Sequence, residues 1–406
     1  MKIEVIKFGG TSVADASKIR HVAGIIEEKV QKNIKTIVVV SAMGASTDQL
    51  LALANEVSKD PNPRELDVLL STGEIVTSTL LSMQLNTISI PTISLTGIQA
   101  GIRTDDAYGR ARIADINTTR IIKELDKKDV VVIAGFQGFS DEQDVTTLGR
   151  GGSDTTAVAL AVALKANNCE IYTDVSGVFT ADPKLCKKAK PLSHIGYEEM
   201  LEMATTGAKV IHSRAVEVAA INHMPLKVKN TFDQKQKGTI IQSESNMENI
   251  NKVRGIAHQS QIGKITIKGV PDKPGIASSV FQPLAEANIP VDTIVQNSSS
   301  ENLTDLTFTV ASEDLDKASK VSEKTVKSIG AKSLDSTNEV GSVSIIGTGM
   351  TSSPGYAATM FETLFAKKVN IEIISTSEIR ITCVVNKESV ETAINALHDA
   401  FKLEVE

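Results

Sequence analysis

The first part of the chain alternates short, strongly apolar runs with longer amphipathic stretches. The apolar runs are IEVIKF, TIVVVSAM, ISIPTISL, VVVIAGF and CEIYTDV, and their β-branched residues predict strands buried on both faces. Helical periodicity fills the intervals and predicts helices at 16–31, 47–58 and 63–85. Parallel strands need crossover connections of helix length, so the pattern predicts a parallel sheet in an α/β sandwich.

The last part of the chain contains an internal repeat. The segment 265–297, ITIKGVPDKPGIASSVFQPLAEANIPVDTIVQN, aligns with 343–377, VSIIGTGMTSSPGYAATMFETLFAKKVNIEIISTS. Each copy predicts a strand, a loop ending in Pro-Gly, a helix and a second strand. The apolar helix positions form matching stripes: Ile276, Val280, Phe281 and Leu284, and Tyr356, Met360, Phe361 and Leu364. The pattern therefore predicts two small α+β modules after one larger α/β domain, with the polar stretch near 243–251 as a linker.

Length and composition limit the classes of function. At 406 residues the chain has room for two or three domains. The net charge of -6, with no basic stripe, argues against nucleic-acid binding. The cysteines, Cys169, Cys186 and Cys383, lack the spacing of a zinc site or a disulfide framework. The N-terminus has no signal-peptide pattern, so we expect a cytoplasmic protein that does not associate with a membrane.

The stretch TLGRGGSDTTAVALAVALKA, residues 147–166, is the first candidate for chemistry. Its glycines permit positive φ and close approach to a ligand, and Ser153, Asp154 or Thr155 is expected to cap the helix that follows. Helix N-termini favour anions, and Arg150 adds a planar fork suited to a carboxylate or phosphate. Taken alone, the stretch fits an anion site and an ordinary glycine turn equally well.

Further candidates follow predicted strands. KFGGTS begins at Lys7 and VVVSAMG contains Ser41, both at places where open α/β sheets bind ligands. STGE places Glu74 on a predicted helix, and YTDVSGVFTADPK forms a turn-rich loop after a strand. GAKVIHSRAV, residues 207–216, carries His212 and Arg214 on a predicted helix whose simplest interpretation is a polar face. The chain contains no GxxxxGK[ST] sequence, which argues against a P-loop NTPase.

These motifs together resemble a known family. KFGGTSV, VVVSAMG, STGE, GFQG, TLGRGGSDTTA, YTDVSGVFTADP, GAKVIHSRA, GVPDKPG and ISTSEIR occur in this order, and the set is similar to aspartate kinases of the amino acid kinase superfamily. The resemblance implies a three-layer α/β/α kinase domain at 1–245, followed by two α+β ferredoxin-like ACT domains at 264–335 and 340–406. The segment 251–263 is either part of the linker or an edge strand of the second module, which would make the first module an insertion.

The resemblance implies transfer of the γ-phosphoryl group of MgATP to the side-chain carboxylate of L-aspartate. The product, 4-phospho-L-aspartate, starts the biosynthesis of lysine, threonine and methionine. A carboxylate with a pKa near about 4 is already an ionised nucleophile at pH 7, so no base is needed. The demand is for positioning and charge neutralisation. We expect Mg²⁺ to be held mainly by the ATP phosphates rather than by a protein metal site.

The family's site residues carry over by motif. Lys7 would contact phosphate, and Asp154 would orient Lys7 or the transferred phosphoryl group without acting as a base. Arg150 would bind the α-carboxylate of aspartate, and Glu74 its ammonium group. Ser41, Thr47, Phe136 and Ser153 would complete the aspartate pocket. The implied nucleotide contacts are Lys7, Gly9, Gly10, Thr173, Asp174, Phe179, Asp182, Lys184 and Lys209. Gly9 and Gly10 would leave their backbone N–H groups accessible to the phosphates. Phe179 and Lys184 stand where many members of the family have tyrosine and arginine, so a hydroxyl and a planar guanidinium are absent from these implied contacts.

The ACT modules imply feedback by lysine, threonine or both. The residues implied for one effector are Asp272, Gln296, Asn297, Asn370 and Ile371, and those for another are Ser299, Thr376 and Glu378. The resemblance also implies a homodimer or higher oligomer joined through ACT domains.

Two other functions stay open on the sequence. One is a different kinase of the superfamily, such as acetylglutamate kinase, although the tandem repeat and the STGE and GRGGSD motifs weigh against it. The other is a catalytically silent amino-acid sensor on a kinase fold. The intact residues Lys7, Glu74, Arg150 and Asp154 weigh against loss of catalysis.

Overall fold

The protein is described by a computed structural model that covers residues 2–208, 210–243, 253–297, 302–350 and 353–405. The chain forms two compact units. The first consists of Met1–Val178 and Pro191–Glu248, and the second of Phe179–Lys190 and Asn249–Glu406. Most of the expected linker lies outside the described residues.

The first unit contains the predicted alternation of strands and helices. Its strands are β1 Ile3–Phe8, β2 Lys35–Val40, β3 Thr92–Leu95, β4 Ile102–Thr104, β5 Ile113–Ile116, β6 Val130–Ala134, β7 Gln137–Phe139, β8 Val145–Thr147, β9 Cys169–Thr173, β10 His194–Ile195, β11 Leu226–Asn230 and β12 Thr239–Ile241. Its helices are α1 Ala16–Val30, α2 Ser46–Val57, α3 Pro63–Thr87, α4 Thr119–Leu125, α5 Gly152–Ala163, α6 Tyr197–Thr205 and α7 Ser213–Ile221. The three helices predicted from periodicity are confirmed to within a few residues.

The main sheet of this unit has the order β10-β12-β11-β9-β1-β2-β6-β3. The strands from β11 to β3 pair in parallel, as predicted. Alternation along β1 divides its side chains between two layers: Ile6 and Phe8 pack in the core formed with α1 and α3, while Lys7 points to the layer that holds α5. A smaller sheet, β5-β4-β7-β8, lies beside the N-terminal part of α3, where Thr147 of β8 donates to Asp67.

Helix α5 begins differently from the prediction. Its N-cap is Gly151, in the left-handed conformation with φ of 71°, and no side chain caps the helix. Ser153, Asp154 and Thr155 therefore do not cap α5, and the prediction that one of them would was wrong. The physical reason is that Asp154 is engaged elsewhere, with Lys7 and with the backbone of His212.

Helix α3 is long and apolar enough to meet a length and composition criterion for crossing a membrane. Half of its most apolar stretch is buried within the protein, and Asp67 and Glu74 lie on its buried face. These features are those of a core helix rather than a membrane span.

The second unit contains the repeat. Its strands are β13 Gly255–Pro271, β14 Ile294–Gln296, β15 Leu303–Ala311, β16 Ser333–Ile346, β17 Ile371–Thr376 and β18 Arg380–Asn386. Its helices are α8 Ile276–Glu286, α9 Leu315–Ile329, α10 Tyr356–Ala366 and α11 Val390–Ala400. The strands form one sheet in the order β14-β15-β13-β16-β18-β17. The predicted apolar stripes of α8 and α10 pack in separate cores on this sheet.

Two long strands, β13 and β16, link the repeats. The first part of β13, from Gly255 to Gln259, pairs with Ile346 to Ser342 of the second repeat. After register shifts, the part from Lys264 to Lys268 pairs with the other end of β16 and also with β15 of the first repeat. The chain before the first repeat therefore supplies a strand to the sheet of the second.

The segment Phe179–Lys190 groups with the second unit, although the sequence prediction placed it in a continuous kinase domain at 1–245. Ala181 and Cys186 lie in the core formed by α10 and α11. Ile256 N–H donates to the Thr180 carbonyl at 2.7 Å, and Asn395 donates to the Leu185 carbonyl at 3.0 Å. Apolar packing and these hydrogen bonds explain the grouping.

Candidate active site

The motifs of the first unit meet at one edge of its main sheet. The register aligns Phe8 with Val40 and with Tyr172, and it aligns Val40 with Ala134. The residues that follow these strands therefore emerge side by side at the carboxyl ends of β1, β2, β6 and β9. In open α/β sheets this is the edge where ligands bind.

Lys7 and Asp154 form an ion pair at this edge. Lys7 Nζ lies 2.6 Å from Asp154 Oδ1, and both side chains are largely buried. The second carboxylate oxygen, Oδ2, accepts from the backbone N–H of His212 at 3.1 Å. Asp154 therefore holds the Lys7 ammonium in place, and its role in catalysis stays a prediction.

Glu74 lies on the face of α3 that packs against β2. Its Oε1 accepts from the backbone N–H of Ala42 at 3.0 Å, and a side chain at Gly73 would lie 2.8 Å from the Ala42 Cβ. The adjacent glycine and acid of STGE thus allow α3 to approach the end of β2 closely. Oε2 of Glu74 is buried and has no hydrogen-bond partner among the described residues. Burial raises the pKa of Glu74 to about 7.

The glycines of KFGG have two different surroundings. The Gly9 N–H donates to the Tyr172 carbonyl at 3.2 Å, so it completes the sheet rather than pointing to a ligand. A Cβ on Gly10 would lie 2.8 Å from the Ala42 carbonyl oxygen, which explains why a glycine is required there. The expectation that both glycines leave their N–H groups accessible is therefore wrong for Gly9.

The loop that carries Arg150 is a tight, glycine-defined turn. Gly149 and Gly151 both have positive φ, of 75° and 71°. A Cβ on Gly151 would lie 2.2 to 2.4 Å from atoms of the His212 side chain, so the loop packs directly on that residue. Arg150 itself is exposed, and its side chain extends from a fixed backbone.

The other residues predicted for the aspartate pocket lie around the same edge. Ser41 follows β2, and its N–H donates to the Phe8 carbonyl at 3.2 Å. Thr47 lies in the first turn of α2 and is half-buried. Phe136 follows β6 with a positive φ of 68°, and its N–H donates to Thr156 at 3.2 Å. Ser153 is buried in the first turn of α5, close to the backbone of Gly135.

The predicted nucleotide contacts are divided. Thr173 ends β9 and donates to Asp174, which is exposed, at 3.2 Å. The structure groups Phe179, Asp182 and Lys184 with the second unit, where Asp182 accepts from the Lys184 N–H at 2.9 Å within a turn. Lys209 lies outside the described residues. Of the motif around it, Arg214 lies on a helix as predicted, but α7 begins only at Ser213, so His212 is its N-cap and precedes the helix.

A buried charge cluster supports the strands below the site and was missed by sequence reasoning. Lys29 Nζ contacts Glu4 Oε2 and Glu170 Oε2, each at 2.9 Å. Tyr172 donates to Glu170 at 3.0 Å, and Lys229 donates to the Tyr172 hydroxyl at 2.9 Å. Because these contacts join β1, β9, β11 and α1 across long stretches of sequence, no local motif could have revealed them.

The residues predicted to bind effectors fall into two groups. Asp272 and Asn297 lie near each other, since the Asp272 N–H donates to the Asn302 carbonyl at 2.8 Å and the Asn297 carbonyl accepts from Thr304. Gln296 ends the edge strand β14. The other group lies along or beside β17, at the opposite edge of the sheet: Asn370, Ile371, Thr376 and Glu378. Ser299 lies outside the described residues.

The two groups lie on the first and last strands of the sheet order, five strand spacings apart along the sheet. The sheet also carries an apolar cluster that contains Ile373 of β17 and packs against Val295 of β14. That Asp272, Gln296, Asn297, Asn370 and Ile371 enclose one effector stays a prediction.

Comparisons with known proteins give the family. Residues 2–230 match the Amino acid kinase family, and residues 265–325 and 343–401 match the ACT domain. Aspartokinase 2 of Bacillus subtilis (strain 168) is 47% identical over 403 residues, covering 99% of this chain and 98% of that protein. The aspartate kinase of Pseudomonas fluorescens (strain SBW25) is 47% identical over 408 residues, covering 100% and 98%. The chain belongs to the aspartokinase family.

Solved structures of aspartokinases agree with this assignment. E. coli aspartokinase III in complex with aspartate and ADP, in the R-state, superimposes with a TM-score of 0.82 at 26% identity, covering 98% of this chain and 99% of that one. The same enzyme in complex with lysine and aspartate, in the T-state, gives a TM-score of 0.77 at 26% identity, with the same coverage. The chain is thus a kinase that uses ATP to phosphorylate aspartate, the first step of a biosynthetic route to amino acids.

Proposed function

We propose that this aspartokinase binds L-aspartate between Glu74 and Arg150 and transfers the γ-phosphoryl group of MgATP to its side-chain carboxylate. The observation that carries the proposal is the buried, unpartnered oxygen of Glu74 at the same sheet edge as the Lys7–Asp154 pair. A buried acceptor without a donor is costly, and an ammonium group supplies donors and a compensating charge.

The α-groups of aspartate differ in charge, and the site offers a partner of opposite charge to each. Glu74 would accept from the ammonium group through Oε2. Arg150 would donate both arms of its guanidinium to the α-carboxylate. The rest of the pocket would limit the length of the amino-acid side chain that can bind. Its residues would be Ser41, Thr47, Phe136 and Ser153.

The chemical step needs no proton transfer. A side-chain carboxylate oxygen of aspartate forms the new bond to the γ-phosphorus, while the bond to the β,γ-bridging oxygen breaks and ADP leaves. Lys7, held by Asp154, would offset the negative charge of the phosphoryl group as it moves between the two oxygens. Asp154 keeps the ammonium in place and removes no proton.

The nucleotide would lie along the ends of β9 and β11, near Thr173 and Asp174. The described residues contain no group of three or more His, Cys, Asp or Glu side chains placed to hold a metal ion. We assign Mg²⁺ to the ATP phosphates, so that the metal arrives as part of the nucleotide substrate. Phe179, Asp182, Lys184 and Lys209 stay predicted nucleotide contacts.

The ACT modules would bind feedback effectors, lysine, threonine or both. β14 and β17 are opposite edges of one sheet, so another copy of the chain can bring the two groups of effector residues together. We therefore propose a homo-oligomer joined through ACT domains, in which one copy supplies Asp272 and Asn297 and another supplies Asn370 and Ile371. Inhibition would follow if the effector binds one conformation of the kinase better than another.

A hydroxamate assay tests the function. The purified protein and ATP would be incubated with aspartate, glutamate, acetylglutamate or carbamate, each with and without lysine and threonine. We expect turnover on aspartate that falls when an effector is added. Turnover on another acceptor instead, or effector binding detected by calorimetry without any turnover, would contradict the proposal and favour a different kinase or a silent sensor.

A further inference from the structure

Two loops of the first unit run side by side next to Arg150. They are the segments 109–111 and 147–149, and the second leads directly into the turn that carries Arg150. The Ala111 N–H donates to the Thr147 carbonyl at 2.9 Å, and a Cβ on Gly149 would lie 2.9 Å from the Gly109 carbonyl oxygen. The backbones are therefore in direct contact, and whatever fixes one fixes the other.

Asp67 of α3 binds the N–H groups of both loops. Its carboxylate accepts from the Thr147 N–H at 2.7 Å, from the Thr147 hydroxyl at 2.6 Å and from the Gly109 N–H at 3.0 Å. The residue is 1% exposed, so a charged group has been removed from water to make these contacts. Several donors directed at one carboxylate offset the cost of burying it.

Arg214 of α7 binds the carbonyl groups of the same two loops. One guanidinium nitrogen donates to the Leu148 carbonyl at 2.6 Å, and the other donates to the Ala111 carbonyl at 2.9 Å. An anion thus holds the donors and a cation holds the acceptors of one pair of loops. In these contacts neither Asp67 nor Arg214 has an ionised partner of opposite charge. The charge of each side chain interacts with backbone N–H or C=O dipoles instead.

We propose that Asp67 and Arg214 are positioning residues that set where Arg150 meets the α-carboxylate of aspartate. This inference rests on the proposed role of Arg150. The backbone is fixed on the other side of Arg150 as well, because Gly151 packs on His212. The guanidinium of Arg150 therefore extends from a short segment held at both ends.

The position of Asp67 on α3 explains why it would act on aspartate rather than on ATP. Seven residues, about two helical turns, separate Asp67 from Glu74, so both lie on one face of the same helix. The ammonium and the α-carboxylate of aspartate are attached to one carbon atom, and their binding groups must keep a constant separation. The hydrogen bonds of Asp67 therefore fix the position of the Arg150 loop relative to the helix that carries Glu74.

Steady-state kinetics of the full chain test the proposal, with aspartate and ATP varied separately. In Asp67→Leu, a side chain of similar size offers no acceptor, so the N–H groups of Thr147 and Gly109 lose their partner and the loop is displaced. We expect the aspartate KM to rise roughly 10- to 100-fold. The upper figure is the loss of catalytic efficiency that a misplacement of about 1 Å can cause. The ATP KM is expected to stay within about twofold of the starting enzyme, since no nucleotide contact is changed.

Two milder variants keep the test valid if Asp67→Leu does not fold. Thr147→Val removes only the hydroxyl donor, and Arg214→Lys keeps the charge but loses the fork that reaches two carbonyls. Both should raise the aspartate KM by a smaller factor in the same direction. Asp141→Asn is the control, because Asp141 precedes the same short strand β8 but is exposed and pairs with Arg103 at 3.0 Å. It should leave both KM values unchanged.

The outcomes separate this inference from the proposed function. An Asp67→Leu enzyme that is folded by circular dichroism and has an unchanged aspartate KM would overturn the positioning role, while Arg150→Ala could still confirm the contact to aspartate. Equal increases in both KM values with a lower melting temperature would mean general destabilisation, which also overturns it. An Arg150→Ala enzyme with a normal aspartate KM would overturn the premise itself.

Discussion

Glu74→Gln should make the aspartate-free enzyme more stable while it weakens substrate binding. Burial raises the pKa of Glu74 from 4.5 to about 7, so the folded enzyme without substrate holds a carboxylate in a place that disfavours its charge. At about 1.36 kcal/mol per pKa unit, the ionised side chain costs about 3 kcal/mol of folding stability above pH 7. Glutamine can still accept from the Ala42 N–H and carries no charge.

The stability of the folded enzyme should fall with rising pH because of Glu74. Between pH 4.5 and 7 the folded protein binds more protons at this group than the unfolded chain, so the destabilisation grows as pH rises through that window and is absent below it. The stability gained by Glu74→Gln should therefore be about 3 kcal/mol at pH 8, about 2 kcal/mol at pH 6 and about 1 kcal/mol at pH 5. The aspartate KM should rise roughly 10- to 100-fold, since a hydrogen bond to a charged group contributes about 1.5–3 kcal/mol.

Urea denaturation of the full chain at these three pH values, without aspartate, measures the change in stability of the first unit, which we call the kinase unit. Glu65→Gln is the control, because Glu65 lies in the first turn of the same helix with an exposed side chain, and it should show no such trend. A Glu74→Gln enzyme that is no more stable at pH 8 than at pH 5, relative to the starting enzyme, would refute the reasoning. Normal aspartate KM in that variant would remove Glu74 from the substrate site.

Three further predictions concern other parts of the site. Lys7→Ala should lower kcat with a smaller effect on either KM, because its contact strengthens as charge moves in the transition state; near-normal kcat in stopped-time assays would exclude it from the mechanism. Arg150→Ala should raise the aspartate KM and leave the ATP KM almost unchanged, as initial-rate measurements with each substrate varied would reveal. Gly10→Ala should destabilise the kinase unit by about 1–3 kcal/mol, because its Cβ would lie 2.8 Å from the Ala42 carbonyl oxygen; an unchanged urea midpoint would contradict this.

Much of the fold follows from local patterns in the sequence. The β-branched runs and the helical periodicity of 16–31 and 63–85 depend on residues near each other in the chain, and the structure contains both helices. The motifs after β1, β2 and β6 could be placed at one sheet edge because parallel strands all end on the same side. The internal repeat similarly identified α8 and α10 and their buried faces.

The remaining features depend on contacts between distant residues and on the backbone. Asp67 meets Thr147 across 80 residues, and Arg214 meets Leu148 across 66, through backbone atoms that every residue possesses. The cap of α5 was mispredicted because Gly151 supplies it by conformation rather than by a side chain. The sequence did not reveal the positions of the effector residues in the sheet, since the strand before the first repeat joins the sheet of the second and sets β14 and β17 at opposite edges.

The site's central claim is that a side-chain carboxylate oxygen of aspartate forms the new bond to the phosphorus of the transferred group. Aspartate labelled with ¹⁸O only in that carboxylate would be incubated with the enzyme and MgATP, and the products would be followed by ³¹P nuclear magnetic resonance. We predict an acyl phosphate signal that shows the isotope shift of a labelled bridging oxygen. An acyl phosphate without that shift, or release of inorganic phosphate alone, would contradict the account.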